Sequence, residues 1–286
     1  MVMELVALRT FLAVVEEGGI LAAASRLNTV QSNVTTRIRR LEQELEVQLF
    51  FRKGRGLELA PAGRVLQKHA QELLQMAQQT AAAVRSAGEA TGELRIGTME
   101  TFAAVRLPAA LKKVRSRHPG LDLQVQTATS AELIERVLSH KLDCAFIGGP
   151  LDHPMLIAEP VLMEELVLVT AKGEVDLQEP LILFREGCVY RARALAWQRE
   201  CGHQIASVME LGTLEGILGC VAVGLGCTLM PRRVVEQSPY ARELAISELP
   251  EHIAHTPTLM IRYRELPLHG GLLTLRDAVA GRALTK

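Results

Sequence analysis

The segment TVQSNVTTRIRRLEQEL, residues 29–45, places side chains that can recognise DNA on a repeat typical of a helix. Its apolar residues Val34, Ile38, Leu41 and Leu45 recur every three or four positions, which predicts one buried stripe with polar side chains outside it. Amides and hydroxyls can pair with base edges, and guanidinium groups bind phosphates. We therefore predict DNA contacts from Gln31, Ser32, Asn33, Thr35, Thr36, Arg37, Arg39 and Arg40.

The charge near this segment favours the same role. Residues 26–55 hold seven Arg and Lys against three Glu, although the formal net charge of the whole chain is zero. Arg52, Lys53 and Arg55 lie where a ribbon after the helix would bring them to the phosphate backbone. The alternative is an ordinary solvated helix face, and Arg40 in particular could pair with the glutamate four residues further on.

A small domain must position these groups. The apolar spacing in FLAVVEE and ILAAASRL predicts two helices before the segment, and Thr29 is a suitable N-cap for the third helix. The following LFFRKGRGLELAPAG alternates and turns at its glycines, as a two-stranded wing does. Helix, turn, helix and ribbon predict a winged helix-turn-helix domain over residues 1–61.

A long helix is predicted next, over residues 62–88. From Ala62 to about Ala87 there is one glycine and no proline, and apolar residues such as Leu66, Leu73 and Val84 lie along one side. We interpret it as a linker helix through which a homodimer forms. In such a dimer, two copies of the helix predicted over residues 29–45 would match a roughly two-fold symmetric operator in double-stranded DNA.

The remaining residues, 93–286, alternate between strand and helix patterns and predict a two-lobed α/β domain like that of periplasmic solute-binding proteins. We assign lobe I to about 93–163 and 265–286, and lobe II to about 164–264. The strand TPTLMIRYR and the last helix are expected to return to the first lobe. Crossing strands between two lobes create a cleft, the usual place for a small ligand.

Polar residues at the strand-to-helix turns are the candidate ligand contacts, because helix N-termini favour anions. The candidates are Thr101, Thr129, Ser130, Arg185, Tyr190, Arg191 and Thr213. The two arginines could bind a carboxylate by paired hydrogen bonds. The hydroxyl residues could instead be plain helix caps. If Glu100 and Glu215 face inward, the ligand would be a cationic amine.

Cys188 raises a different hypothesis. It precedes a predicted helix and has Arg185, Arg191 and Arg193 nearby in sequence, conditions that lower a thiol pKa. A redox sensor would use Cys188 as the reactive thiol and Cys201 as its resolving partner. The alternative is an inert cysteine that only fills space in an α/β core.

Other classes of protein are disfavoured by their missing motifs. GLGCT at 224–228 lacks the last glycine of a dinucleotide loop, no GxSxG elbow occurs, and HIAH at 252–255 has the wrong spacing for a zinc site. We expect no enzyme activity, no cofactor and no metal. The amino terminus does not match a signal peptide, and the longest apolar run is too short to cross a bilayer. The expectation is a cytoplasmic protein without membrane contact, which also disfavours an exported solute binder.

Residues 11–63 and the order of the predicted elements resemble the LysR-type transcriptional regulators. The resemblance rests on paired alanines before a leucine, on a glutamine that opens the third helix, on a spaced run after it, and on the closing APAG at 60–63. These residues are Ala23, Ala24, Leu27, Gln31, Arg40, Leu41, Glu42, Leu45, Leu49, Phe50 and Arg52. Weaker matches in GTMETFAAVRLP, KLDCAFIGGP and VAVGLGCTLMP extend it over essentially the whole chain. Gly19, Val30, Ser32 and Glu46 depart from the usual Ser, Ser, Pro and Gly.

The resemblance implies a sequence-specific DNA-binding regulator whose carboxy-terminal cleft senses a small-molecule effector. It implies effector contacts from Thr101 and Ser130, a homotetramer built from linker dimers, and contact with RNA polymerase. Effector binding is expected to change the closure of the lobes and, through the linker helices, the geometry of promoter binding.

Overall fold

The computed structural model describes residues 3–53, 56–85, 92–173, 180–202, 207–266, 268 and 270–281. The chain divides into two compact units, Met1–Arg85 and Ser86–Lys286. Among the described residues, no helix has both the length and the apolarity needed to cross a membrane.

Three helices form the core of the amino-terminal unit. They are α1 Leu5–Glu17, α2 Ile20–Arg26 and α3 Gln31–Leu45. Leu8 and Phe11 of α1 pack with Val34 and Leu41 of α3, and all four side chains are almost fully buried. The buried stripe of α3 is the one that its apolar spacing predicts. At the end of α3, Glu46 adopts a left-handed conformation with φ 55°.

A hairpin follows, made of β1 Phe50–Lys53 and β2 Gly56–Leu59, which pair antiparallel. Glu42 fixes its start, because the Oε1 atom of Glu42 accepts hydrogen bonds from the backbone N–H of Leu49 at 2.8 Å and of Phe50 at 3.4 Å. The helices and this ribbon form the expected winged helix-turn-helix.

Gly63 leaves no room for a side chain where the wing meets the next helix. A Cβ there would overlap the Leu49 carbonyl oxygen and lie 2.6 Å from Leu59 Cδ1. We expect Gly63→Ala to lower the free energy of unfolding by about 1–3 kcal/mol, measured by urea denaturation, although alanine suits helices better. Gly19→Ala is the matched control, since its Cβ meets no atom within 4 Å. Equal stability of the two variants would contradict this packing.

Helix α4, Pro61–Arg85, has 25 residues and a length of about 37 Å at 1.5 Å per residue. Leu66 and Ala70 are buried against the three-helix core. Further apolar side chains of the helix are exposed: Val65, Leu73, Met76 and Val84. At 100° per residue, Leu73 and Val84 continue the stripe that begins at Leu66, and Val65 and Met76 lie beside it.

The first lobe of the second unit contains three parallel strands, in the order β4-β3-β5. They are β3 Gly92–Thr98, β4 Leu121–Thr127 and β5 Cys144–Gly148. The helices of this lobe are α5 Glu100–Val105, α6 Leu107–Arg117, α7 Ser130–Leu138 and α12 Gly270–Val279.

The 16-residue strand β6, Leu156–Ala171, connects the two lobes. Its first part pairs with β11, His255–Tyr263, and its second part pairs with β9 Thr228–Pro231 and β10 Leu244–Ser247. The rest of lobe II consists of β7 Leu181–Leu183, β8 Val208–Glu210, α8 Val189–Glu200, α9 Leu214–Ala222 and α10 Arg232–Glu236, and a short helix α11, Glu251–Ala254, precedes β11.

Strand β11 bears on the expected boundary of lobe II near residue 264. It pairs with β5 from Thr258↔Gly148 to Ile261↔Ala145. The chain has therefore joined the sheet of lobe I by Thr258, within the segment TPTLMIRYR that was expected to return there. The short elements α10, β10 and α11 were not predicted, because each is too brief to show a period in the sequence.

Candidate functional site

The outward face of α3 carries the first candidate site. Val34, Ile38 and Leu41 point into the core, so the opposite side of the helix faces solvent. At 100° per residue that side contains Ser32, Thr36, Arg39, Arg40 and Gln43, all of which are exposed. Gln43 was missed by the sequence analysis, although its spacing of four from Arg39 places it on this face.

Some predicted DNA contacts are engaged within the protein. The Asn33 amide donates to Thr29 Oγ1 at 3.1 Å, and the Thr35 hydroxyl donates to the Gln31 carbonyl at 2.9 Å. Arg37 reaches Thr10 Oγ1 at 3.5 Å. These groups must exchange or share a bond in order to contact DNA.

Arg40 forms the intrahelical pair that competes with phosphate binding. Its Nε atom lies 3.2 Å from Glu44 Oε1, and its Nη2 atom lies 3.6 Å from Glu4 Oε1. By contrast, the side chains of Gln31, Ser32 and Thr36, like that of Arg39, are exposed and form no hydrogen bond or ion pair within the described residues. Ser32, Thr36 and Arg39 are the free polar groups of the outward face, whereas Gln31, the first residue of α3, lies to one side of it.

The N-cap of α3 differs from the prediction, and the basic residues of the wing lie in part outside the described residues. The N-cap of α3 is Val30, whose side chain offers no acceptor, and not Thr29. Arg52 and Lys53 lie on β1, in the wing. Arg55 lies outside the described residues.

The second candidate site is a cavity of about 120 Å³ between the two lobes of the second unit, here called the interlobe cavity. Residues of lobe I and lobe II contribute to its wall. The lining is Met99, Glu100, Thr101, Thr127, Ala128, Thr129, Ser130, Phe184, Arg185, Cys188, Tyr190 and Gly212. Thus five of the seven predicted effector contacts, together with Cys188, are brought to one cavity.

Three polar contacts join the lobes around this cavity. Glu100 Oε1 accepts a hydrogen bond of 2.7 Å from the backbone N–H of Leu214, at the start of α9. Arg185 donates to Glu132 Oε2 at 2.9 Å. The Ala131 N–H donates to the Gly187 carbonyl at 3.4 Å. The cavity is therefore closed by bonds that separation of the lobes would break.

Two buried hydroxyl groups face this cavity. Thr101 is 2% exposed and Tyr190 is 3% exposed. Burial raises the pKa of Tyr190, and the neighbouring Thr101 hydroxyl only partly offsets that effect. Thr101 Oγ1 nevertheless has no hydrogen bond of ordinary geometry within the described part of the chain. An unsatisfied buried hydroxyl costs free energy, so a ligand that bonds to it would be stabilised.

The residues at the start of α7 have partners inside the protein. Thr129 forms a capping box with Glu132, whose pKa is lowered by the Thr129 backbone N–H and by Arg185. Ser130 Oγ accepts a hydrogen bond of 3.2 Å from the Gly148 N–H and keeps its own proton to donate. The capping alternative therefore describes Thr129, whereas Ser130 retains a donor for a ligand.

Two predicted contacts do not line the interlobe cavity. Thr213 caps α9 by accepting a hydrogen bond from the Gly216 N–H, and the cavity is lined instead by Gly212. Arg191 donates to the Phe184 carbonyl and to Glu210, both at 2.8 Å. The clamp of Arg185 and Arg191 on a carboxylate stays a prediction, and it would require each guanidinium to exchange the carboxylate partner that it has inside the protein.

Two features of the structure count against the thiol hypothesis for Cys188. Burial raises the pKa of Cys188, and the N–H groups and charge at the start of α8 only partly offset this. Arg193 points instead to the carbonyl oxygens of His252 and Ile253. Cys201 is at the opposite end of the 12-residue helix α8, about 20 Å away, whereas a disulfide needs Cα atoms within about 7 Å.

Alkylation would test this assignment. We expect the exposed Cys201 to react with iodoacetamide near pH 7 well before Cys188, because the raised pKa of Cys188 leaves little thiolate. Labelling of Cys188 should still be increasing above its ordinary pKa of 9.0. Mass spectrometry of peptides gives both rates. Faster labelling of Cys188, or a disulfide between the two cysteines after peroxide treatment, would contradict the expectation.

Within the described ranges, no group of three or more His, Cys, Asp or Glu side chains is arranged to hold a metal ion.

Comparison with known proteins covers both units. Residues 5–64 match the family described as "Bacterial regulatory helix-turn-helix protein, lysR family", and residues 87–283 match the "LysR substrate binding domain". The chain is 37% identical over 265 residues to the HTH-type transcriptional regulator GltR of Bacillus subtilis, covering 90% of both chains. It is 38% identical over 263 residues to the regulator SoxR of Arthrobacter sp., covering 91% of this chain and 90% of that one.

Solved structures share the fold. Full-length CbnR complexed with its target DNA has a TM-score of 0.72 at 22% identity, covering 98% of this chain and all of that one. A full-length cysteine variant of OxyR from Pseudomonas aeruginosa has a TM-score of 0.70 at 20% identity, covering 99% of this chain and 97% of that one.

Proposed function

The chain belongs to the LysR family of DNA-binding transcriptional regulators, and on that premise we propose that its interlobe cavity senses a small metabolite and thereby alters promoter binding. The observation that carries the proposal is the cavity itself. Both lobes line it, and interlobe hydrogen bonds at Glu100, Arg185 and Ala131 close it.

A ligand in this cavity can act only through its different affinity for the open and the closed state. Because its wall is divided between the lobes, a bound molecule contacts both lobes when they are closed and loses one set of contacts when they separate. Binding therefore favours closure.

For the winged helix-turn-helix domain, we propose that the principal contacts with DNA come from Gln31, Ser32, Thr36 and Arg39. The amide and hydroxyl groups read base edges, and Arg39 binds phosphate. Their support is exposure without partners in the described residues, with Ser32, Thr36 and Arg39 on the outward face of α3 and Gln31 at its start. Asn33, Thr35, Arg37 and Arg40 contribute after they exchange their internal bonds, and Arg52, Lys53 and Arg55 contact the backbone from the wing.

We further propose that the exposed apolar face of α4 forms a homodimer, that dimers assemble into a tetramer, and that the operator is roughly two-fold symmetric. RNA polymerase is a further proposed partner, which the family resemblance implies.

The proposal is tested with the full-length protein on DNA from its own promoter region. A thermal-shift screen of small carboxylates, amines and amino acids identifies molecules that raise the melting temperature. DNase footprinting then compares the protected region with and without each stabilising molecule. We expect a change in footprint length or in internal hypersensitivity. An identical footprint with a molecule that saturates the cavity would contradict the mechanism and leave DNA binding itself untouched.

A further inference from the structure

Of the charged side chains on the wall of the interlobe cavity, one has an ion-pair partner among the described residues and the other does not. Glu100 and Arg185 are the charged residues in its lining, and Arg185 already pairs with Glu132 at 2.9 Å. Glu100 has one hydrogen bond, from the Leu214 N–H to Oε1, and no cationic side chain pairs with it among the described residues. Its second carboxylate oxygen is free for a ligand. The wall therefore offers a site for a cation.

The same cavity also offers hydrogen-bond donors to an anion. The hydroxyl of Thr101 is buried beside that of Tyr190 and has no hydrogen bond of ordinary geometry among the described residues, and that of Ser130 keeps a free proton. The helices α7 and α8 begin at this wall. In the first turn of α7 the Ala131 and Glu132 N–H groups are already bonded, whereas the Ser130 N–H has no hydrogen bond among the described residues. These donors suit a carboxylate, at a place different from that of Glu100.

A singly charged ligand would leave one of these features unsatisfied. A simple carboxylate would be repelled by the Glu100 charge, and a simple amine would leave the donors of Thr101 and Ser130 without an acceptor. We infer that the ligand is a zwitterionic α-amino acid with an uncharged side chain, its ammonium group on Glu100 and its carboxylate on the Thr101 hydroxyl and on the hydroxyl and N–H of Ser130. This inference rests on the effector cavity proposed above.

The size and the remaining lining agree with this class. A volume of about 120 Å³ is close to that of a cavity of about 150 Å³ which holds benzene. Met99, Ala128 and Phe184 add apolar surface to the wall, enough to contact a short aliphatic or thioether side chain. A polyamine or a long dicarboxylate would exceed this space.

The position of Glu100 gives ligand binding a direct effect on closure. Its Oε1 atom holds the start of α9 in lobe II while Glu100 itself is in the first turn of α5 in lobe I. An ammonium group on the free oxygen would share this carboxylate with the Leu214 N–H. The ligand and the interlobe bond are therefore held by the same side chain, and the ligand has its full set of contacts when the lobes are closed.

The test is binding to the full-length protein measured by calorimetry and thermal shift. The probes are glycine, L-alanine, L-valine, L-leucine, L-methionine and L-phenylalanine. Each is compared with its deaminated acid and its decarboxylated amine, for example 4-methylpentanoate and 3-methylbutylamine for L-leucine. We expect at least one amino acid to bind roughly tenfold or more tightly than both of its analogues, because each analogue lacks one charge-assisted contact.

Two variants and a control locate the binding. Glu100→Gln is expected to weaken the amino acid by roughly 10-fold to 100-fold but to affect the deaminated acid little or to favour it. Thr101→Val should weaken both the amino acid and the acid. Glu215→Gln, on the exposed side of α9 and outside the cavity, should change neither. The melting temperature of each variant without ligand identifies any loss of folding.

The inference is overturned if none of the six amino acids binds, if an acid or amine binds as tightly as its parent amino acid, or if Glu100→Gln binds the amino acid unchanged while correctly folded. If another metabolite binds and changes the footprint, the proposed regulatory function survives and only the ligand class is wrong.

Discussion

Replacing Leu73 with glutamate is expected to reduce affinity for the full operator by about 100-fold to 10,000-fold, the range in which linked binding sites exceed single ones. Leu73 is 42% exposed on α4, on the same face as Val65, Met76 and Val84. If this face packs against a second copy, the variant places one buried charge from each subunit against the other, without a partner. The winged helix-turn-helix domains of the separated subunits then bind half-sites independently.

Analytical ultracentrifugation should show a shift towards monomers, and a gel shift should show a matching loss of affinity. Gln71→Glu is the control, because Gln71 is exposed on the opposite side of the same helix and the substitution introduces the same charge. Loss of affinity without dissociation, or equal dissociation in both variants, would contradict dimerisation through this face.

The sequence predicts the reading helix well because burial on α3 follows a local period. Val34, Ile38 and Leu41 repeat at helical spacing, and the structure buries these three while the polar positions between them stay outside. The strands of lobe I can also be assigned from the sequence, because the spacing of apolar residues changes between helix and strand within a few positions. Local periodicity contains enough information to assign such elements and the winged and two-lobed classes they build.

Pairing between distant residues could not be predicted in this way. The sequence shows Arg185 and Arg191 as two free cations near a turn, yet Glu132 and Glu210 neutralise them across 53 and 19 residues. Glu100 bonds to the start of α9, 114 residues away. A count of charged residues cannot identify such partners, because they depend on how the lobes pack.

The same limit applies to Cys188. Neighbouring arginines in sequence predict a lowered thiol pKa, but helix and loop geometry direct Arg193 to backbone carbonyls, and burial raises the pKa instead. The effect of burial on a thiol pKa outweighs that of neighbouring cations when their charged groups point away from the sulfur. The structure therefore disfavours a redox switch and places Cys188 in the lining of the interlobe cavity, and the alkylation experiment tests this.

The internal pairing of Arg40 also distinguishes it from its neighbour Arg39, and this difference should appear in DNA binding. Arg39→Ala is expected to weaken binding roughly tenfold for a dimer, since each copy loses one phosphate contact, and to weaken all sequences alike. The slope of log affinity against log salt should decrease by about two. Arg39 has no partner to abandon within the described residues, so its whole charge is available to phosphate.

Arg40 must first give up Glu44, so its net contribution is smaller. Arg40→Ala alone would leave the Glu44 charge unpaired near the DNA, and the matched comparison is therefore the double variant Arg40→Ala/Glu44→Ala. We expect it to lose roughly twofold or less, because an exposed pair contributes little and both members are removed together. Titrations at several salt concentrations decide the matter. Equal losses and equal slopes for the two variants would show that the intrahelical pair does not restrain Arg40, because both guanidinium groups would then bind phosphate alike.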